Sequence, residues 1–282
     1  MNRPIGVFDS GVGGLTVARQ IYRHLPNESV VYFGDTARIP YGNKRFSTLR
    51  RFAHDGACFL LSQNIKALVV ACNTIASLCL DELQQRLDFP VVGVIEPAAR
   101  AAVAASRSKR IGLIGTRATI ESGAYPKAIR EMDPQVEVFA TACPLFVPLI
   151  EEGWLDNEVA DQVVAHYLAD MRRLGPDTLL LGCSHYPLMA PAIQRFMGEQ
   201  VTLVESGEAT VLELANALAG LGLLRSSPDP PTRRFFVSDL STNFRNVAAS
   251  YLDGRIGDVV EIDVEKIGTL ELLWGEGSQR RA

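Results

Sequence analysis

The chain has 282 residues, of which 47% are hydrophobic and 21% are charged, and its formal net charge is −4. This length predicts about two domains of ~100–200 residues, each large enough to bury a core without disulfide or metal support. The slightly acidic balance argues against a nucleic-acid-binding protein, and the lack of an apolar run of ~18 residues argues against a membrane span.

The amino-terminal residues run directly into a strand-like segment and lack the apolar core of a signal peptide. We therefore expect a cytoplasmic location. The chain has five cysteines, and an odd number without an export signal argues against a disulfide framework and predicts free thiols. A short basic cluster at Arg107, Lys109 and Arg110 is interpreted as a solvated helix-to-strand junction.

Short apolar runs alternate with longer segments of helical spacing. Continuous apolar runs are typical of strands that are buried on both faces. The segment Asp156–Leu174 places Val159, Val163, Tyr167 and Met171 on one helical face. The alternation predicts an α/β fold with mainly parallel sheets. The predicted strands are Ile5–Phe8, Val30–Phe33, Ala67–Ala71, Val91–Val94, Arg110–Ile114, Val136–Ala140, Thr178–Leu181 and Val201–Val204.

Two pairs of strand ends resemble each other at nearly the same spacing along the chain. Ile5–Ser10 is similar to Ile111–Thr116, and Val69–Asn73 is similar to Leu180–Ser184. We expect two similar α/β domains, related by a pseudo-twofold axis, with the active site in the cleft between them. Equivalent strand ends would then face that cleft.

The last part of the chain is expected to return to the first domain. A predicted helix, Thr210–Leu224, is followed by a Ser/Pro-rich linker at 226–231, a strand at Phe235–Val237 and a helix at Asn243–Leu252. The expected domains are residues 1–97 together with 208–282, and residues 98–207. Gly275–Ala282 is expected to form a mobile tail.

Two glycine-containing turns follow predicted strands. The turn Asp9-Ser10-Gly11-Val12-Gly13-Gly14 leads into a helix and suits a small anion, whereas Thr16 replaces the third glycine of a dinucleotide fingerprint. The glycines could also serve only a tight turn. In the second motif, Gly34–Gly42, Pro40 and Gly42 stiffen a turn that carries the Tyr41 hydroxyl and backbone amide donors.

Two cysteines stand at equivalent strand ends. Cys72 lies in Ala-Cys-Asn-Thr and Cys183 in Gly-Cys-Ser-His-Tyr-Pro, whereas Cys58 and Cys79 are interpreted as packing residues and Cys143 is left undecided between packing and the cleft wall. A zinc site would need more ligands at the proper spacing, and a redox pair or a cysteine hydrolase fits this arrangement less well.

Paired thiols can also invert a stereocentre. A thiolate removes a proton from carbon on one face while the second thiol delivers one to the opposite face. Three further groups, Asp9, Glu151 and His185, could tune or relay these protons.

Taken in order and spacing, the motifs Asp-Ser-Gly-Val-Gly-Gly, Gly-Asp-Thr-Ala-Arg-x-Pro-Tyr-Gly, Ala-Cys-Asn-Thr and Gly-Cys-Ser-His-Tyr-Pro closely resemble those of the bacterial glutamate racemase family. The resemblance covers about Ile5 to Ile267. It implies cofactor-independent interconversion of L- and D-glutamate, which supplies D-glutamate for peptidoglycan.

The resemblance also implies residue roles. Cys72 and Cys183 match the proton donor/acceptor cysteines, the first acting on D-glutamate and the second on L-glutamate, and Asp9, Glu151 and His185 match residues that support proton transfer. The positions that match substrate-binding residues are Asp9, Ser10, Tyr41, Gly42, Asn73, Thr74, Thr116, Thr119, Ser184 and His185.

Other functions remain open at this point. A related two-cysteine racemase could act on aspartate or a hydantoin, and a catalytically silent binding protein could share the fold. We expect a small-molecule substrate, no cofactor, no metal, no nucleic-acid or membrane partner, and a homodimer.

Overall fold

The computed structural model describes residues 2–252 and 258–264, in which strands and helices alternate along the chain. The strands are β1 Ile5–Asp9, β2 Val30–Gly34, β3 Ala67–Val70, β4 Val91–Gly93, β5 Arg110–Gly115, β6 Glu137–Ala142, β7 Thr178–Gly182, β8 Thr202–Glu205, β9 Arg233–Val237 and β10 Val259–Glu261. The α-helices are α1 Leu15–His24, α2 Phe46–Ser62, α3 Asn73–Arg86, α4 Ile95–Ala105, α5 Arg117–Ser122, α6 Ala124–Met132, α7 Phe146–Glu151, α8 Glu158–Leu174, α9 Ala190–Met197, α10 Gly207–Gly220 and α11 Thr242–Tyr251.

The strands form two sheets. A six-stranded first sheet has the order β10-β9-β2-β1-β3-β4, and a four-stranded second sheet has the order β6-β5-β7-β8. Every described strand pair is parallel. The predicted α/β fold with mainly parallel sheets is therefore confirmed.

The two sheets share a pattern of connections. In the first, β1 lies between β2 and β3, and in the second, β5 lies between β6 and β7. Cys72 lies just beyond the end of β3, and Cys183 follows β7 directly. The internal repeat seen in the sequence thus corresponds to equivalent positions in the two sheets. Both thiols follow the strand next to a central strand.

The chain returns to the first sheet near its end. β9 pairs with β2, with Val30 opposite Arg233, and β10 pairs with β9. The segment before β9 is held at the amino-terminal edge of the sheet, where the buried Lys66 ammonium lies 2.6 Å from Glu28 and donates to the Leu223 carbonyl at 2.6 Å. The expected domain boundaries remain a prediction, and Gly275–Ala282 lies outside the described residues.

Local sequence signals define both ends of helix α8. The Asn157 side chain accepts a hydrogen bond from the Ala160 amide and caps the start, and Gly175 ends the helix in the left-handed conformation. The predicted apolar face is only partly correct. The buried side chains are Ala160, Val164, Leu168 and Met171, while Val159 is exposed and Val163 and Tyr167 lie at the margin. Met171 is shared with the predicted face, and the other three positions are displaced by one residue because those side chains pack into the core of the second sheet.

The basic cluster lies between α4 and β5, as interpreted from the sequence. Lys109 pairs with Asp133 at 3.1 Å and Arg110 with Glu137 at 2.6 Å. The Asp177 carboxylate also accepts hydrogen bonds from the backbone amides of Arg107 and Ser108. The charges of Lys109 and Arg110 are therefore matched by nearby carboxylates.

Candidate active site

Loops from the carboxyl ends of both sheets enclose one small cavity, which is where parallel α/β sheets place ligands. Its interior space of about 20 Å³ has room for about one water molecule. The wall is formed by Ser10, Ile39, Pro40, Tyr41, Gly42, Asn43, Cys72, Asn73, Thr74, Thr116, Pro144, Val147, Cys183, Ser184 and His185. Both strand-end thiols therefore lie on a single cavity.

Cys72 lies in the first sheet's part of the wall and is almost fully buried. Its thiol donates to the Ser10 hydroxyl at 3.6 Å, and helix α3 begins at the next residue. Burial, reinforced by the Asp9 charge, raises the pKa of Cys72 to about 12. The resting thiol is consequently protonated near neutral pH and can donate a proton.

Cys183 has a different set of neighbours. Its sulfur lies 4.0 Å from His185 Nδ1, and His185 Nε2 lies 2.6 Å from Glu151 Oε1. Burial lowers the pKa of His185, but hydrogen bonds to Cys183 and Glu151 outweigh it and hold this pKa well above its usual value. The imidazole of His185 therefore lies between the Cys183 sulfur and the Glu151 carboxylate.

Asp9 connects the two sheets from behind the wall. One carboxylate oxygen accepts the Gly11 amide at 3.0 Å, and the other accepts the Ser184 hydroxyl at 2.9 Å. Burial raises the pKa of Asp9, and the nearby His185 charge opposes that effect. Asp9 therefore positions groups near both thiols, because Ser10 follows it and Ser184 follows Cys183.

Three threonine hydroxyls form a second connection between the sheets. Thr74 Oγ1 lies 2.9 Å from Thr116 Oγ1 and 3.3 Å from Thr119 Oγ1. Thr116 also caps α5, because its hydroxyl accepts the Thr119 amide. Thr74 and Thr116 line the cavity, whereas Thr119 supports them from behind.

The Tyr41 hydroxyl is directed away from the cavity. It donates to the buried Asp35 carboxylate, which also accepts from Arg38 Nε at 2.6 Å. Arg38 in turn donates to Asp55 at 2.5 Å and lies 4.0 Å over the Phe52 ring. Tyr41 was predicted as a substrate-binding position, and it does line the cavity, but its hydroxyl anchors the loop through Asp35.

Glycines allow the loops of the two sheets to approach closely. A Cβ on Gly13 would lie 2.5 Å from His185 Nδ1 and 2.7 Å from the His185 backbone nitrogen. A Cβ on Gly42 would lie 2.5 Å from Thr116 Cβ. Only hydrogen fits at these two positions, so the turns seen in the sequence have a packing role.

Most of the residues selected from the sequence are brought together here. Asp9, Glu151 and Thr119 lie behind the wall and contact it through Ser184, His185 and Thr116. Sequence reasoning did not assign a site role to Ile39, Asn43, Pro144 and Val147, which also line the cavity. The signal that could have indicated these residues is their place in the sequence, close to Tyr41 or to Cys143.

The remaining cysteines are packing residues in this structure. Cys58, Cys79 and Cys143 are buried. Cys143 is fully buried with its thiol toward the Thr141 carbonyl at 3.8 Å, and it is the next residue, Pro144, that borders the cavity.

Within the described ranges, no three His, Cys, Asp or Glu side chains are grouped so that they could hold a metal ion. None of the helices described is both long and apolar enough to cross a membrane.

Comparison with known proteins agrees with this geometry. The Asp/Glu/Hydantoin racemase family matches residues 6–214. The glutamate racemase of Geobacter metallireducens is 51% identical over 263 residues, covering 93% of this chain and 97% of that protein. That of Chlorobaculum tepidum is 44% identical, covering 91% and 94%.

A solved structure shows that the fold is shared as well. The glutamate racemase of Francisella tularensis, determined in complex with D-glutamate, has a TM-score of 0.87 and 36% identity, and the match covers 94% of this chain and 99% of that one. The sequence match, the shared fold and the paired thiols lead to one assignment: the chain belongs to the Asp/Glu/Hydantoin racemase family and is an amino-acid racemase.

Proposed function

We propose that the protein interconverts L- and D-glutamate by a two-base mechanism in which Cys72 and Cys183 are the catalytic acid and base. The observation that carries the proposal is that two thiols from equivalent strand ends of different sheets line one cavity. The similarity to glutamate racemases supports glutamate as the substrate.

In the direction from L-glutamate, the Cys183 thiolate removes the α-proton and the Cys72 thiol delivers a proton to the opposite face of the same carbon. The C–H bond on one face breaks as the C–H bond on the other forms. Cys183 ends as the thiol and Cys72 as the thiolate. The reverse reaction follows the same steps backward, and no redox change or cofactor is required.

The two thiols differ in what stabilises their charged forms. The His185 imidazolium, held by Glu151 at 2.6 Å, supports negative charge on Cys183. Cys72 instead contacts the Ser10 hydroxyl, and burial together with the Asp9 charge raises its pKa. The α-ammonium group of bound glutamate would favour the Cys72 thiolate in the reverse direction.

Substrate binding is assigned to the polar groups of the wall and the groups behind it. We propose that Ser10, Asn73, Thr74, Thr116, Ser184 and the backbone of Tyr41 and Gly42 hold the carboxylate and ammonium groups, with Asp9, Thr119 and His185 orienting them. The interior space of about 20 Å³ has room for about one water molecule. We infer that the loops of the two sheets separate to admit glutamate.

Isotope exchange tests this function. The purified protein, incubated with L-glutamate in deuterated water without added cofactor, should form D-glutamate with deuterium at Cα. Parallel incubations with L-aspartate and a hydantoin test the substrate class. Absence of both deuterium incorporation and loss of optical rotation with glutamate would refute the proposal.

Substitution of each thiol tests the assignment of acid and base. Cys72→Ser and Cys183→Ser should each lower kcat by about 1,000-fold or more, because a serine hydroxyl is a far weaker acid than a thiol. Cys58→Ser is the matched control, since Cys58 lies in α2 outside the cavity wall. Full turnover by either site variant would show that its thiol is not essential.

We further propose that the product D-glutamate supplies peptidoglycan synthesis and that the enzyme is a cytoplasmic homodimer. Expression in a bacterial strain that requires D-glutamate should restore growth, and the Cys183→Ser variant should fail to do so. Light scattering coupled to size exclusion measures the oligomeric state. A single protomer at all concentrations would contradict the homodimer.

A further inference from the structure

Tyr125 lies between the two thiol-bearing turns, yet the mechanism above gives it no role. It belongs to α6 and is fully buried. Its hydroxyl donates to Asn73 Oδ1 at 2.5 Å, one residue after Cys72. Its ring also lies beside Gly182, one residue before Cys183, where an added Cβ would be 3.1 Å from Tyr125 Cε2. One side chain therefore contacts the neighbours of both thiols.

The partner of Tyr125 is an unusual amide. Asn73 is 1% exposed and lines the cavity. Among the described residues its Nδ2 has no hydrogen-bond partner, although its Oδ1 is satisfied. Buried polar atoms are nearly always paired, and an unpaired donor is costly. Asn73 thus carries, on the cavity wall, a buried donor that an acceptor entering the cavity would satisfy.

The Tyr125 hydroxyl decides which end of the amide is available. Burial, with a further contribution from Cys183, raises the pKa of Tyr125, so the phenol keeps its proton and remains a donor. If the Asn73 amide turned over, Nδ2 would meet the phenol oxygen and the phenol proton would lose its acceptor. That arrangement leaves a buried donor unsatisfied and is disfavoured.

We propose that Tyr125 is a positioning residue that fixes the Asn73 amide with Nδ2 toward the cavity, where it donates to a carboxylate of the substrate. This inference rests on the proposed function. It makes recognition directional, since an amide held the other way would present Oδ1, an acceptor that repels a carboxylate. A substrate with an ammonium group at this place would be disfavoured for the same reason.

A double-mutant cycle tests the proposal. Tyr125→Phe should raise the KM for L-glutamate by about tenfold, with a smaller effect on kcat, because Asn73 loses its fixed orientation. Asn73→Ala should raise KM at least as much. If Tyr125 acts through Asn73, Tyr125→Phe should change KM by less than about twofold in the Asn73→Ala background.

Tyr22→Phe is the matched control, because the Tyr22 hydroxyl has no hydrogen-bond partner in the described part of the chain. Its KM and melting temperature should stay close to those of the unmodified protein. An unchanged KM in Tyr125→Phe would overturn the proposal. An equal effect of Tyr125→Phe with and without Asn73 would also overturn it, since that is the behaviour of a residue that only packs.

The unmodified protein separates this result from failure of the proposed function. Its racemisation and its binding of D-glutamate, measured by titration calorimetry, are determined first. If it neither racemises nor binds glutamate, the proposed function and this inference fall together. If it does both while Tyr125→Phe binds D-glutamate equally well, only the role of Tyr125 is refuted.

Discussion

Gly13→Ala should push the turn that carries Gly13 away from the loop that carries Ser184 and His185, without removing any reacting group. Gly13 is buried and does not have a positive φ, so alanine can adopt its backbone conformation. The new Cβ would lie 2.5 Å from His185 Nδ1, 2.6 Å from Ser184 Oγ and 2.7 Å from the His185 backbone nitrogen. Non-bonded atoms prefer about 3.5 Å, so one side must move by up to about 1 Å.

Displacement of His185 is costly because its Nε2 is held by Glu151 Oε1 at 2.6 Å on the side opposite Gly13. Overpacking of this kind costs about 1–3 kcal/mol in the free energy of unfolding. For a protein of this size we expect the melting temperature to fall by about 2–10 °C. Misplacing a catalytic group by about 1 Å lowers the rate by about 100-fold, so we expect kcat/KM to fall by that order.

Circular dichroism monitors racemisation and gives kcat/KM. Thermal unfolding of the same samples gives the melting temperature. Gly220→Ala is the control, because its Cβ would meet nothing within 4 Å among the described residues. That variant should retain full activity and equal or slightly greater stability. A Gly13→Ala enzyme with kcat/KM within about twofold of the unmodified protein would refute the close approach of the two loops as a requirement for catalysis.

Two other substitutions probe charged groups around the site. Glu151→Gln removes a group that raises the pKa of His185, so NMR titration should place that pKa lower and the alkaline limb of the kcat/KM profile should move to lower pH. The folded-state pKa of His185 is raised, so the stabilisation from this pair is complete below about pH 6.5 and is lost as pH rises through the folded-state pKa. The stability advantage over Glu151→Gln should therefore vanish at alkaline pH, and equal profiles for both proteins would contradict this. Arg38→Met should lower the free energy of unfolding by about 3–5 kcal/mol in urea, because buried Asp35 and Asp55 lose their shared cation, and an unchanged midpoint would contradict the role of this cluster.

Much of the fold could be predicted from apolar runs, because strands buried on both faces have few polar residues to obscure them. The strand Ile5–Phe8 is an example, and β1 differs from it only by including Asp9. The short strand β10, Val259–Glu261, was not predicted because it is partly exposed and pairs on one side only. The buried face of α8 was displaced by one residue because packing neighbours, rather than periodicity, decided it.

The candidate site was predictable where a chemical group and its strand-end position occurred together, as at Cys72 and Cys183. The direction of a side chain was harder to predict from the sequence. Tyr41 lies in the expected loop, but its hydroxyl turns to Asp35 because the buried carboxylate needs donors. Tyr125 carried no sequence signal, since a tyrosine in a short helix becomes informative only when folding places it beside Asn73.

The late position of β9 affects the order in which the protein can assemble during synthesis. β2 pairs with β1 on one side and with β9 on the other, and roughly 200 residues separate β2 from β9 along the chain. At ~5–20 residues per second, β2 waits roughly 10–40 s for its second partner, while the strands of the second sheet emerge. An unpaired edge is an aggregation hazard during that interval. The nascent chain is thus vulnerable from the emergence of β2 until the arrival of β9, which predicts that shielding by a chaperone benefits expression most during that interval.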